Sequence, residues 1–195
     1  MAETARMRLF AAVLPPPEAI KELGPAVASL HALPQAGALR WTGEPTWHLT
    51  LAFLGQVDPG DVAALGGRLA AAAATVERTP QLRLAGGGRF SDRALWVGVR
   101  GDTRPLADLA GEVAAAARAT GIDVDDTPFR PHLTLARSGG RNVPTPAGVT
   151  LAPLVASLAD FSGTSWPADT LRLMRSHLGV GAAHYETVGE WPLGR

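Results

Sequence analysis

Between Trp47 and Gly55 the chain reads W-H-L-T-L-A-F-L-G, apolar positions interrupted by a histidine and a threonine two residues apart. Five of these residues, H-L-T-L-A from His48 to Ala52, return unchanged from His132 to Ala136, 84 positions later (132 − 48). A Leu-rich run of this length bounded by Pro or Gly predicts a buried strand. Strand side chains alternate between faces, so Leu49 and Leu51 point one way and His48 and Thr50 the other, as do Leu133 and Leu135 against His132 and Thr134. The leucines belong to a core. The polar pairs share the opposite face, and the economical reason is a site that the two strands build together.

The same reading extends along the chain. A strand from Arg8 to Leu14 runs into Pro15 to Pro17, which open a helix from about Glu18 to Leu33. A short extended piece follows around Leu39 to Trp41, and then the first histidine strand. Asp58 with Pro59 predicts a cap for a second helix with Val62, Leu65 and Leu69 on one face, running to about Glu77. Gln81 to Ala85 predicts a strand and Gly86-Gly87-Gly88 a loop. Ala94 to Arg100 predicts another strand, and a helix runs from about Pro105 to Thr120, stopped by Gly121. Strand, helix, histidine strand therefore occurs twice, in halves near 7–56 and 93–140 of a single domain spanning 1–195. Two copies, too few for a solenoid, facing each other across a pseudo-twofold axis would bring both His-Thr pairs into one cleft. From Thr150 a short helix is expected, then strands near Asp160 to Trp166, Leu171 to Leu178 and His184 to Trp191. Gly139 to Gly148 reads as an exposed loop.

Composition narrows the chemistry. Eighteen basic residues balance eighteen acidic ones, so no global field advertises a nucleic-acid or membrane partner, although a local patch is compatible with this balance. All the basic residues but Lys21 are arginine, whose forked donors suit phosphate. Cysteine is absent, which excludes disulfides, thiolate nucleophiles and Cys-based metal sites. The apolar run from Leu9 to Leu14 is too short for a signal peptide and no stretch reaches membrane-spanning length, so a soluble cytoplasmic protein is expected.

Histidine titrates near physiological pH, so of two imidazoles across a cleft one takes a proton while the other gives one, worth roughly a hundred- to ten-thousand-fold in rate. Thr50 and Thr134 would donate hydroxyl hydrogen bonds to the oxygens of an anion held between them. This set suits in-line displacement at phosphorus without a metal or other cofactor. No His-Glu-x-x-His, nucleophile elbow or phosphate-loop motif occurs, and Asp123, Asp125 and Asp126 lack the glycine and terminal glutamate of a calcium loop. For His31, His177 and His184 surface or loop roles are expected, and Trp41, Trp96 and Trp191 read as packing residues.

The two H-x-T motifs sit in a longer frame: Arg8-Leu9-Phe10, Trp41, Leu54-Gly55, Ala94 to Val99, Phe129-Arg130-Pro131 leading into His132 to Arg137, Arg175-Ser176, Tyr185 and Trp191-Pro192-Leu193. In this order they resemble the RNA 2′,3′-cyclic phosphodiesterase family, once described as bacterial 2′-5′ RNA ligase, within the two-histidine phosphoesterase superfamily. The resemblance implies an α+β fold of two lobes, with antiparallel sheets lining a central cleft and helices outside. It implies metal-free hydrolysis of a terminal 2′,3′-cyclic phosphate on RNA or an oligonucleotide to a 2′-phosphomonoester, with weak reversal to a 2′-5′ linkage; a monomer away from membranes is expected. It assigns His48 as proton donor to the departing 3′ oxygen and His132 as the base that activates water, roles that the symmetry of the two motifs leaves interchangeable. It also brings Phe53 and Arg137, each five residues after its histidine, toward the nucleotide. Strict alternation points both away from the His-Thr face, so each strand must first end or bulge, and core packing is the plainer reading of Phe53. Arg130, two before His132, has the right parity if Pro131 stays extended. Two alternatives share the residues: a sister enzyme acting on small cyclic phosphates or 2′-5′ oligonucleotides, and a module that binds a nucleotide without turning it over.

Overall fold

In a computed structural model, residues 5–139, 150–177 and 183–194 are described. In chain order the elements are β1 (Met7–Val13), α1 (Pro17–Leu30), β2 (Leu39–Trp41), β3 (Leu49–Val57), α2 (Val62–Ala74), β4 (Gln81–Phe90), β5 (Ala94–Gly101), α3 (Thr103–Arg118), β6 (His132–Ser138), α4 (Ala152–Ser157), β7 (Trp166–Pro167), β8 (Thr170–His177) and β9 (His184–Pro192). Pro17 occupies the first turn of α1, where its missing N–H costs nothing, and Ala19, Leu23, Val27 and Leu30 form the buried stripe. Both α1 and α2 end about a turn before the pattern predicts. Their ends tighten into i→i+3 bonds instead, from His31 N to Ala28 O and from Thr75 N to Ala72 O.

The strands form one antiparallel sheet in the order β7-β4-β5-β6-β3-β1-β8-β9, with β2 also paired to β6. At its centre β3 and β6 meet in a single register pair, Leu49 opposite Leu133. These residues are equivalent in the two motifs, 84 apart, so a local twofold axis passes between them. The repeat extends outward in register. Val13, Ala12, Ala11 and Phe10 face Leu49, Thr50, Ala52 and Phe53, and Val97, Trp96, Leu95 and Ala94 face Leu133, Thr134, Ala136 and Arg137. The register slips between Ala11 and Ala12 in one half and between Leu95 and Trp96 in the other. Each slip leaves one leucine, Leu51 or Leu135, as the extra residue of a bulge, at the same place in both copies.

Helices cross between the halves. Helix α1 follows β1 yet packs on β4, and α3 follows β5 yet packs on β3 and α2. Glu22 of α1 accepts the backbone N–H of Thr164 at 2.7 Å, which ties α1 to the chain beside β4. The leucines of every histidine strand face this helical layer: Leu49, Leu133 and Leu135 are fully buried and Leu51 nearly so. A second, small apolar group of Phe10, Ala12 and Met174, with Tyr185 against it, lies apart from that core.

Three expectations need correcting. Gly86-Gly87-Gly88 lies within β4 and is not a loop. A Cβ at Gly88 would overlap the Trp96 indole, and one at Gly87 would stand 2.7 Å from the Leu158 Cβ, so glycine lets the strand pass under both side chains. The strand expected over 160–166 shrinks to an isolated bridge at Ser162 and the two residues of β7. Asp58 makes no capping bond; its carboxylate takes the Nε–H of Arg6 at 2.9 Å. The loop expected over 139–148 lies, but for Gly139, outside the described residues.

Candidate active site

Each histidine is fixed by the backbone just before it. Nδ1 of His48 lies 2.7 Å from the carbonyl of Thr46, and Nδ1 of His132 lies 2.6 Å from the carbonyl of Arg130. Thr46 and Arg130 are again 84 apart. A carbonyl only accepts, so Nδ1 carries the hydrogen in both rings and Nε2 is left to exchange protons. Aromatic rings wall each imidazole. Phe10 lies 4.8 Å from His48 and Tyr185 stands edge-on at 5.3 Å. Phe90 stands edge-on to His132 at 4.8 Å and Trp96 lies at 6.0 Å.

Burial among these rings pushes both imidazoles below the ordinary histidine range, and the carbonyl bonds push the other way. Positive neighbours add to the fall: His132 and Arg137 for His48, Arg137 and Arg130 for His132. Because a proton on one ring disfavours a proton on the other, the doubly charged pair is disfavoured.

Thr50 and Thr134 sit half-buried on the histidine face, opposite Ala12 and Trp96. Neither hydroxyl is engaged by a protein partner among the described residues, so both are available to a ligand oxygen. The bulges at Leu51 and Leu135 answer the parity problem of the residues beyond them. Phe53 is 60% exposed, with its ring 6.4 Å from Phe10, so it packs on the wall of the His48 site and not in the core. Arg137 is close enough to influence both histidines; burial and Arg40 lower its own pKa while Tyr185 raises it. Arg130 lies over the Phe90 ring, with its guanidinium carbon 5.8 Å from the ring centre. The structure thus gathers all seven residues singled out from sequence around one open face.

Phe10, Phe90 and Tyr185 join them without having been assigned a role, as does Trp96, expected only to pack. Tyr185 is the sole tyrosine in the chain, but only the register of β8 and β9 brings it to this face. No group of three His, Asp or Glu side chains that could hold a metal occurs among the described residues. An apolar hollow of about 820 Å³ beside α1, with Pro45 and Trp47 on its other wall, is lined by neither histidine.

Two equivalent strands, each bringing one histidine and one threonine to a shared open face of an antiparallel sheet, make the arrangement of a two-histidine phosphoesterase. The model of the 2′-5′ RNA ligase superfamily matches residues 15–179, and the chain belongs to that family. The RNA 2′,3′-cyclic phosphodiesterase of Geobacillus stearothermophilus is 33% identical over 158 residues, which cover 78% of this chain and 47% of that protein, so the chain spans about half of that relative's length. The RNA 2′,3′-cyclic phosphodiesterase of Aeropyrum pernix is 32% identical over 152 residues, 75% of this chain and 82% of the relative. The crystal structure of E. coli LigT complexed with 3′-AMP matches with a TM-score of 0.75 at 27% identity, over 97% of this chain and 99% of that one.

Proposed function

We propose that this protein hydrolyses the 2′,3′-cyclic phosphate at the end of an RNA chain to a 2′-phosphomonoester by paired-histidine acid–base catalysis without a metal, and that it joins 2′-5′ ends weakly in reverse. The observation that carries this reading is the meeting of the two His-Thr pairs on one face, each imidazole anchored at Nδ1 and free at Nε2. Water attacks phosphorus as His132 Nε2 takes its proton; the P–O3′ bond breaks as His48 Nε2 gives a proton to the departing 3′ oxygen. The assignment of donor and base follows the family resemblance. Thr50 and Thr134 donate to the non-bridging oxygens, and Arg137 and Arg130 supply positive charge where negative charge builds. Phe53 offers an exposed ring to the nucleobase.

The whole chain acts as one two-lobed domain, as a monomer in the cytoplasm. No helix among the described residues is long and apolar enough to cross a membrane.

The test is incubation with EDTA and a short RNA ending in a 2′,3′-cyclic phosphate, followed by assignment of the product phosphate, beside His48→Ala and His132→Ala. A 2′-phosphate from the wild type and its loss in both variants is expected. Absence of turnover, or turnover indifferent to both histidines, would overturn the reading and favour a nucleotide-binding module.

A further inference from the structure

The catalytic frame is duplicated, but one strand is not. β2 has no counterpart 84 residues on, where Val124 lies in an irregular link. It pairs with β6 beyond the point where β3 leaves off, with Arg40 directly opposite Arg137. Residues directly opposite in antiparallel strands share a face, so Arg40 stands beside the residue that the bulge turns toward the histidines. Two like charges so placed repel, and Arg40 is among the causes that lower the pKa of Arg137. Neither guanidinium has a carboxylate partner among the described residues. Arg40 spends Nε–H and one Nη2–H on the Gly139 carbonyl, at 3.1 and 2.6 Å. Three of its five donors remain. This is a forked, unneutralised pair of cations one strand outside the reacting groups, in a chain whose overall charge is balanced.

Resting on the phosphodiesterase reading, we infer that Arg40 and Arg137 together receive the RNA backbone phosphodiester next to the terminal nucleotide, so that the enzyme favours chain ends over free cyclic mononucleotides. Arg137 serves both the terminal group and this outer position. Arg40 serves only the outer one. The polymer leaves the histidines across β2, and the repulsion within the pair is relieved when a phosphate lies between them.

The experiment compares kcat/KM on a short RNA ending in a 2′,3′-cyclic phosphate with kcat/KM on the corresponding 2′,3′-cyclic mononucleotide, in EDTA. Each ratio is taken within one protein preparation, so any misfolded fraction cancels. The wild type is expected to favour RNA. In Arg40→Gln the RNA-to-mononucleotide ratio should fall about tenfold, chiefly through KM, as for loss of a charged hydrogen bond. Arg40→Lys, which keeps the charge without the fork, should recover part of it. A wild-type ratio near one, or a ratio that Arg40→Gln leaves unmoved while both substrates turn over, would overturn the outer site alone. Failure to turn over either substrate would instead overturn the phosphodiesterase reading, and this inference with it.

Discussion

Gly88→Ala tests whether the glycine run of β4 exists to seat the catalytic wall. Gly88 is directly opposite Trp96, and a Cβ there would overlap three carbons of the indole. Restoring van der Waals contact at about 3.5 Å requires the ring to retreat by about 1.5 Å. Trp96 is hemmed in by Phe90 at 5.5 Å and His132 at 6.0 Å, so its retreat falls on the residues that wall the second imidazole. Overpacking of this kind costs about 1–3 kcal/mol, which for a chain of this size lowers Tm by roughly 2–4 °C per kcal/mol. A displacement on the order of 1 Å at His132 would lower kcat by up to about a hundredfold. Urea unfolding followed in parallel with kcat on a cyclic phosphate substrate separates the two effects. A variant with wild-type midpoint and wild-type kcat would refute the argument outright. A lower midpoint with intact kcat would leave Trp96 as packing and remove its part in holding His132.

Both imidazoles are held below the ordinary range, so the bell in kcat/KM should lie to the acid side of that expected for two unperturbed histidines near pH 6.5. Arg130 contributes to that lowering at His132, and Arg130→Gln should move the His132 titration upward, read by NMR of the ring protons; an unmoved titration would refute the assignment. The sign for stability follows by linkage. The folded state binds fewer protons than the unfolded chain, so stability conferred by these groups is present above about pH 6.5 and lost as pH falls through the depressed folded values. Urea midpoints at pH 5 and 7 would check it, and a difference of opposite sign would count against buried imidazoles. Gly67→Ala, in the interior of α2 where a Cβ meets nothing, should stabilise by about 1 kcal/mol with kcat unchanged, measured by thermal melting. Phe53→Ala should raise KM for RNA at least about fivefold by loss of a stacking face, while moving stability by no more than about 0.5 kcal/mol because the ring is already 60% exposed.

What the sequence shows most plainly is what repeats. The H-L-T-L-A pentapeptides carry strand periodicity, the leucine face and the pairing of imidazole with hydroxyl, and the prolines and apolar stripes place the helices to within a turn. The bulges are another matter. Leu51 and Leu135 look like ordinary alternating core residues, because a bulge is a relation between two strands and leaves no mark on either alone. Hence the sequence left Phe53 reading as core, whereas the slip against β1 brings it out beside Phe10. The glycines of β4 misled for a similar reason: their cause is an indole on the neighbouring strand, and locally they look like a loop. The crossing of α1 and α3 onto opposite halves is equally invisible, since an apolar stripe specifies that a face is buried without saying against what.

The duplication also shows where the chemistry must acquire direction. Two identical anchored imidazoles on a twofold axis have no preferred sense for proton flow. The equivalent positions around them are not identical: Thr46 corresponds to Arg130, Phe53 to Arg137, Phe10 to Ala94, and Ala12 to Trp96. At one pair the first copy supplies an aromatic ring, Phe53, where the second supplies a guanidinium, Arg137; at another only the second copy is charged, through Arg130. A nucleoside and a phosphate differ in the same way, one offering a flat π face and the other negative oxygens. Under the proposed reaction, a substrate with its base toward Phe53 and its charge toward Arg130 and Arg137 meets unlike groups on the two sides of the axis. Arg130 adds to the lowering at His132 and has no equivalent beside His48, whose own lowering comes first from burial. Under the proposed mechanism the repeated motifs leave donor and base interchangeable, and these four divergent positions are where a distinction between them has to arise.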